Sequence, residues 1–177
     1  MRIGIDISQI AYEGTGVGEY LRQLVEELLN LDRDNEYVLF FSSLRRKIQN
    51  SKFKIQNDNP KVKITTFLFP PVLLDLLWNR LHIFPIEWLI GNVDVFISSD
   101  WTQPPTKAKR ATILYDLIVY MYPEGTDKKI VSVQKRRLSW VKKECDIVFC
   151  ISESTKKDAK KILGIDQKKL HVIYPGV

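Results

Sequence analysis

Seven short apolar runs recur along the chain, at residues 2–7, 37–42, 62–68, 93–98, 111–115, 146–151 and 170–174. Several are continuously apolar, as strands covered on both faces require. Residues 17–31, 72–90, 126–144 and 153–163 carry helical patterns between them and serve as crossovers. The expected architecture is therefore an α/β domain whose sheet is doubly wound and mainly parallel, a Rossmann-like layer. In the first helix Tyr20, Leu21, Leu24, Val25, Leu28 and Leu31 fall at helical spacing, with Arg22, Gln23, Glu26 and Glu27 elsewhere. That apolar face should dock on the sheet as core.

A chain of 177 residues, 45% hydrophobic and 27% charged, is enough for one domain with a sizeable core, here residues 1–177. No uncharged stretch reaches the roughly 20 residues needed to span a bilayer, and the N-terminus lacks a secretory pattern. The expected location is cytoplasmic. Cys145 and Cys150 flank Asp-Ile-Val-Phe, a spacing that fits neither a zinc pair nor a redox motif, and they read as reduced core thiols. His82 and His171 stand apart from any carboxylate or cysteine partner in sequence, so no metal site is expected.

The first strand runs into Gly14-Thr15-Gly16-Val17-Gly18-Glu19-Tyr20 and then the first helix. Strand, glycine loop and helix is the order that builds a phosphate-facing turn, because amides at a helix start lack intrahelical acceptors. The glycines also permit positive φ or close approach of a ligand. The G-x-G-x-G spacing departs from the dinucleotide fingerprint, and no lysine follows as in a P-loop. A plain tight turn is the competing reading.

The net charge of +6 is concentrated at residues 126–143, where Lys128, Lys129, Lys135, Arg136, Arg137, Lys142 and Lys143 face the single acid Asp127. This is a basic helix with Ile130, Val131, Val133, Leu138, Trp140 and Val141 able to form a packed face. A solvated face accounts for it, and so does an anionic membrane surface or a phosphate. Nucleic acid is not expected, since no recognition helix or paired aromatic strand accompanies the charge. Residues 72–90 are apolar nearly all round, and Pro85 should break or kink them. Burial against the sheet is the first expectation there; an apolar acceptor groove or membrane-docking surface is the alternative. Residues 44–63 read as a polar surface crossover, with a Lys-Ile-Gln-Asn echo at 47–50 and 54–57 too short to indicate a repeat.

Four segments together resemble the N-terminal domain of family 4 glycosyltransferases. They are residues 1–7 with the Gly14–Gly18 loop, Asp34-Asn35-Glu36-Tyr37-Val38-Leu39-Phe40, Ile113-Leu114-Tyr115-Asp116-Leu117 with Tyr122-Pro123-Glu124, and residues 151–158 with Tyr174-Pro175-Gly176-Val177. The resemblance implies the N-terminal half of a GT-B architecture, two Rossmann-like domains facing a cleft. It implies transfer of a sugar from a nucleotide donor, a UDP- or GDP-sugar, to a hydroxyl on a glycan or lipid-linked acceptor. No cofactor or obligatory metal is implied, and retention of stereochemistry is expected by analogy alone.

Carried over by position, the resemblance makes Gly14, Thr15, Gly16, Val17 and Gly18 the loop that approaches donor diphosphate and acceptor. Tyr115 and Asp116 match a segment that usually reads His-Asp at the end of a cleft-facing strand. A tyrosine donates a hydrogen bond but does not replace an imidazole as acid or base near neutral pH. Asp116 can orient an acceptor hydroxyl or cap the following turn. Ser152 and Glu153 match the Ser-Glu of the next strand end, where Ser152 can bond a ligand or, more safely, cap a helix. The ending resembles an interdomain linker, so a C-terminal donor-binding domain is the expected partner, in cis or in trans, and the chain alone is expected to be inactive. A non-catalytic module that binds a membrane or partner, peripheral at the inner face, is the rival from another class. A nucleotide-dependent oxidoreductase fails on the loop spacing and on the lack of an acidic ribose ligand.

Overall fold

The structure, a computed structural model, describes residues 1–44 and 60–176. Within them the apolar runs form β1 (Arg2–Asp6), β2 (Glu36–Ser42), β3 (Val62–Phe67), β4 (Val95–Ser98), β5 (Lys109–Leu114), β6 (Ile147–Cys150) and β7 (Leu170–Val172). Every neighbouring pair is parallel, in the order β3-β2-β1-β4-β5-β6-β7. The chain lays down β1, steps outward through β2 and β3, and returns on the other side of β1 with β4. Such a reversal leaves a crevice beyond the carboxyl ends of the strands, where ligands of open α/β sheets bind. Most of the crossover expected at residues 44–63, with its short echo, lies outside the described residues.

The helices are α1 (Gly16–Leu31), α2 (Pro71–Leu74), α3 (Glu87–Ile90), α4 (Ile118–Met121), α5 (Lys128–Glu144) and α6 (Glu153–Asp158). The π-helical turns Asp75–Arg80 and Ala159–Leu163 extend α2 and α6. One sheet face buries Ile5, Ile7, Leu39, Phe41 and Ile113 against Leu21, Val25 and Leu29 of α1. The other buries Val38, Phe40 and Phe96 against Leu74, Trp78, Ile86 and Ile90, and Leu114, Val148 and Cys150 against α5 and the α6 region. Each such side chain contributes about 1.5–3 kcal/mol on burial, which is why residues facing either way must be apolar. The domain is a doubly wound, all-parallel Rossmann-like α/β layer.

Three local expectations change. Leu31 is 80% exposed at the last position of α1, and Leu29, four residues after Val25, takes its place in the core. Residues 72–90 do not bury as a unit. The helix ends at Arg80, His82 and Phe84 adopt φ of 51° and 69°, and α3 begins after Pro85. Leu74, Trp78, Ile86 and Ile90 face the sheet while Val72, Leu76, Leu81, Ile83 and Trp88 remain exposed. In α5 the cations do not all stay outside: Arg137 is 1% exposed, because it shares the inward stripe with Val133 and Val141. Cys145 and Cys150 are free and buried, as expected. Among the described residues no helix is long and apolar enough to cross a membrane.

Candidate functional site

The glycine loop is shaped by three residues with different tasks. Gly14 turns the chain at φ +76°, a conformation that L side chains rarely adopt. Thr15 is the N-cap of α1; its Oγ1 accepts from the Gly18 amide at 3.2 Å and donates to the Tyr12 carbonyl at 2.7 Å. A Cβ on Gly18 would lie 2.9 Å from the Gln9 carbonyl oxygen, so this glycine allows the helix start to sit on the preceding turn of the protein itself. Nothing lies within 4 Å of a Cβ built on Gly16. Gly16 and Val17 supply first-turn amides beyond the cap, positions with no acceptor inside the helix.

These two residues form one wall of an open cleft of about 540 Å³, with Glu19, Tyr20, Gln23, Tyr115, Asp116, Ile151, Pro175 and Gly176 completing it. The strand order explains the assembly. Residues that follow β5, β6 and β7 all emerge at the same sheet edge, facing the start of α1. Tyr20 meets Tyr115 edge to face, with ring centroids 5.6 Å apart, and its hydroxyl donates to the Ile173 carbonyl at 3.0 Å. The final segment is thereby tied to α1 across the cleft mouth. Among the described residues, the charged ones in the lining are Glu19 and Asp116, both acids. Arg22, outside the lining itself, pairs with Glu19 and Glu26 and offsets the Glu19 charge.

Tyr115 is buried, Oη included, with the Ser99 side chain as its nearest polar neighbour among the described residues. Burial pushes the phenol well above the ordinary tyrosine range, and the charge of Asp100 adds to the shift. It is therefore a protonated donor at neutral pH. Asp116 is exposed, and its Oδ1 accepts from the Ile118 amide at 2.9 Å. That bond caps the turn into α4, while the same residue lines the cleft. Ser152 caps α6: its Oγ accepts from the Thr155 amide at 3.1 Å. Glu153 sits in the first turn of α6, exposed. Of the expected residues, Gly16, Val17, Tyr115 and Asp116 converge on the cleft, whereas Gly14, Thr15, Gly18 and Ser152 hold its frame.

Beneath the cleft floor lies a buried polar layer that the sequence reading missed. Arg137 donates through Nη2 to Thr112 Oγ1 at 2.8 Å and to the Ile113 carbonyl at 2.9 Å, and its Nη1 is 3.8 Å from Asp100 Oδ1. Ser98 Oγ donates toward Thr112 Oγ1 at 2.8 Å, and Gln134 Nε2 holds the Asp100 carbonyl at 2.7 Å. Asp6, at the end of β1, is buried and accepts from the Ser8 amide at 2.9 Å. Burial pushes the Asp6 carboxyl up, and desolvation pushes up that of Asp100, whose side chain is still 26% exposed, each against the pull of the Arg137 charge. Burial likewise pushes the Arg137 guanidinium down, while Asp100 opposes that shift. Two signals in the sequence pointed here. Arg137 lies on the 133/137/141 stripe of α5, and polar Ser99-Asp100 directly follow an apolar strand.

Among the described residues no group of three or more His, Cys, Asp or Glu side chains is placed to hold a metal ion. The arrangement offers hydrogen-bond donors from a helix start, a carboxylate at the opening, an aromatic wall and a polar base beneath it. Residues 14–177 match the family model described as Glycosyltransferase Family 4. No curated protein matches the chain.

Proposed function

The chain belongs to Glycosyltransferase Family 4, and on that premise we propose that its cleft is the acceptor side of a sugar-transfer site. The observation that carries this reading is the lining itself: first-turn amides at Gly16 and Val17, the Tyr115 ring, and, among the described residues, acids at Glu19 and Asp116 as the charged groups. Carboxylates suit a neutral hydroxyl acceptor, and the helix-start amides offer a diphosphate only partial positive charge. The cations for a nucleotide-sugar diphosphate then come from a donor-binding domain across the cleft, in cis or in trans. The donor is a UDP- or GDP-hexose and the acceptor a hydroxyl on a glycan or lipid-linked sugar.

In the transfer the bond from the anomeric carbon to the diphosphate oxygen breaks with its electron pair left on that oxygen, and a bond to the acceptor oxygen forms as the acceptor hydroxyl passes its proton to the departing diphosphate. Asp116 orients the hydroxyl, its Oδ1 steadied by the Ile118 amide. Tyr115, packed edge to face on Tyr20, shapes the apolar wall against which the acceptor lies. The amides of Gly16 and Val17 face the departing diphosphate, where fixed donors matter most once the cleft closes and excludes water. Chain and donor domain together, offered a panel of nucleotide sugars, should transfer sugar, and the chain alone should not. Asp116→Asn should lower kcat/KM by about a hundredfold with the fold unchanged. Undiminished transfer by that variant would remove Asp116 from the mechanism.

A further inference from the structure

We propose that the outer surface of α5, with the two segments that flank it, docks on an anionic lipid bilayer. The basic helix and the apolar stretch at 72–90 are separate features in the sequence, and the fold makes them one surface. On one flank Arg136 Nη2 pairs with Asp75 Oδ2 at 2.8 Å, and Trp140 Nε1 donates to the Asn79 carbonyl at 2.9 Å. His82 stacks on Trp140 at 3.6 Å. On the other flank α4 packs against Leu138 and Val141, and Lys135 Nζ lies 5.3 Å from the centre of the Tyr120 ring.

Arg136 is thus paired and Arg137 buried, which leaves Lys128, Lys129, Lys135, Lys142 and Lys143 exposed along the helix. Large apolar side chains stand exposed on both sides of this row: Leu76, Leu81 and Ile83 on one, Ile118, Met121 and Tyr122 on the other. Leu81 and Ile83 are not loosely held. His82 and Phe84 occupy left-handed backbone conformations, fixed by His82 Nδ1 against the Trp78 carbonyl at 2.8 Å and by Trp78 Nε1 donating to the Phe84 carbonyl at 2.9 Å. Non-glycine residues persist there only where the surroundings over-determine them. Of the local acids, Glu124 and Asp127 lie at the N-terminal end of α5, which Asp127 caps, while Asp75 pairs with Arg80 and Arg136 and Glu144 with His82 and Arg110.

A row of lysines between apolar strips fits a headgroup layer, where the ammonium groups meet anionic lipid and the apolar side chains enter the acyl boundary. A polyanion such as nucleic acid would use the lysines alone. The surface is independent of the transfer reaction and is read without it, so failure of either reading leaves the other standing.

Co-sedimentation of the intact chain with vesicles of phosphatidylglycerol and phosphatidylcholine, against phosphatidylcholine alone, tests the proposal. Binding should require the anionic lipid and fall in high salt. Lys135→Glu with Lys142→Glu should weaken it by roughly tenfold or more. Leu81→Ser with Ile83→Ser should also weaken it several-fold. Leu31→Ser, on the exposed end of α1, is the control and should leave it unchanged, with unfolding midpoints confirming that all three variants fold. Absence of binding, indifference to salt, or equal weakening by Leu31→Ser overturns the proposal. So does a lysine effect without an apolar effect, which would identify a general polyanion site.

Discussion

Gly16 and Gly18 stand two residues apart in one loop, yet alanine should have opposite effects at them. A methyl on Gly18 meets the Gln9 carbonyl at 2.9 Å, and backbone cannot move aside cheaply. Gly18→Ala should therefore cost about 1–3 kcal/mol in denaturant unfolding. Gly16→Ala enters open space within a helix and should be neutral or stabilising by up to about 1 kcal/mol. Equal destabilisation by both would refute the assignment of packing to one and cleft to the other. Asp6 supplies a pH test. Its folded pKa is raised from an ordinary 3.8, so above that value the native state holds its proton longer than the unfolded chain does. Its contribution is complete below the ordinary pKa and is lost as pH rises through the folded one. Unfolding titrations from about pH 4 to pH 7 should show Asp6→Asn gaining on the parent as pH rises, and parallel curves would count against the raised pKa. The three glycines were legible in the sequence as a loop, but their division of labour was not, because it depends on what Gln9 and Tyr12 place beside them.

At the scale of elements, β6 and the end of α5 carry the two thiols. Cys145 closes α5 and Cys150 ends β6, and both lie in the core cluster that includes Ala159 and Leu163. Burial pushes the Cys145 thiol up to about 12 and the Cys150 thiol up to about 11. Neither should react with a thiol reagent in the native protein at mildly alkaline pH, and both should react once denaturant unfolds it. Labelling before unfolding would contradict this packing. Their burial was legible, because an apolar strand with no metal or redox spacing leaves a cysteine little else to do. The split of residues 72–90 was only half legible. Pro85 announced the break, but which apolar residues face the sheet depends on where the helix ends, and that is set by the π-helical turns and the clamp on His82. Arg137 shows the same limit from the other side. Its charge class it with six other cations of the basic run, while its position on the buried stripe of α5 separates it from them.

At the scale of the whole molecule, the parallel order places β1, β4 and β5 at the centre and, among the described residues, leaves β3 and β7 as edges. Native-state hydrogen exchange should be slowest in β1, β4 and β5 and faster in β7, which has three residues and, among the described residues, a single neighbouring strand. Protection in β7 equal to that in β5 would argue for a partner strand beyond it. The parallel, doubly wound class was determined by the sequence by itself, because apolar run length, helical spacing and caps such as Thr15 and Ser152 act over a few residues and need no distant partner. Only the tertiary structure decided the cleft and its floor. Asp6, Asp100, Tyr115 and Arg137 sit on β1 and the segments after β4 and β5 and on α5, and strand order alone brings them to one edge. Their protonation follows from burial and mutual charge, quantities that come into being when separate elements pack and that no single segment contains.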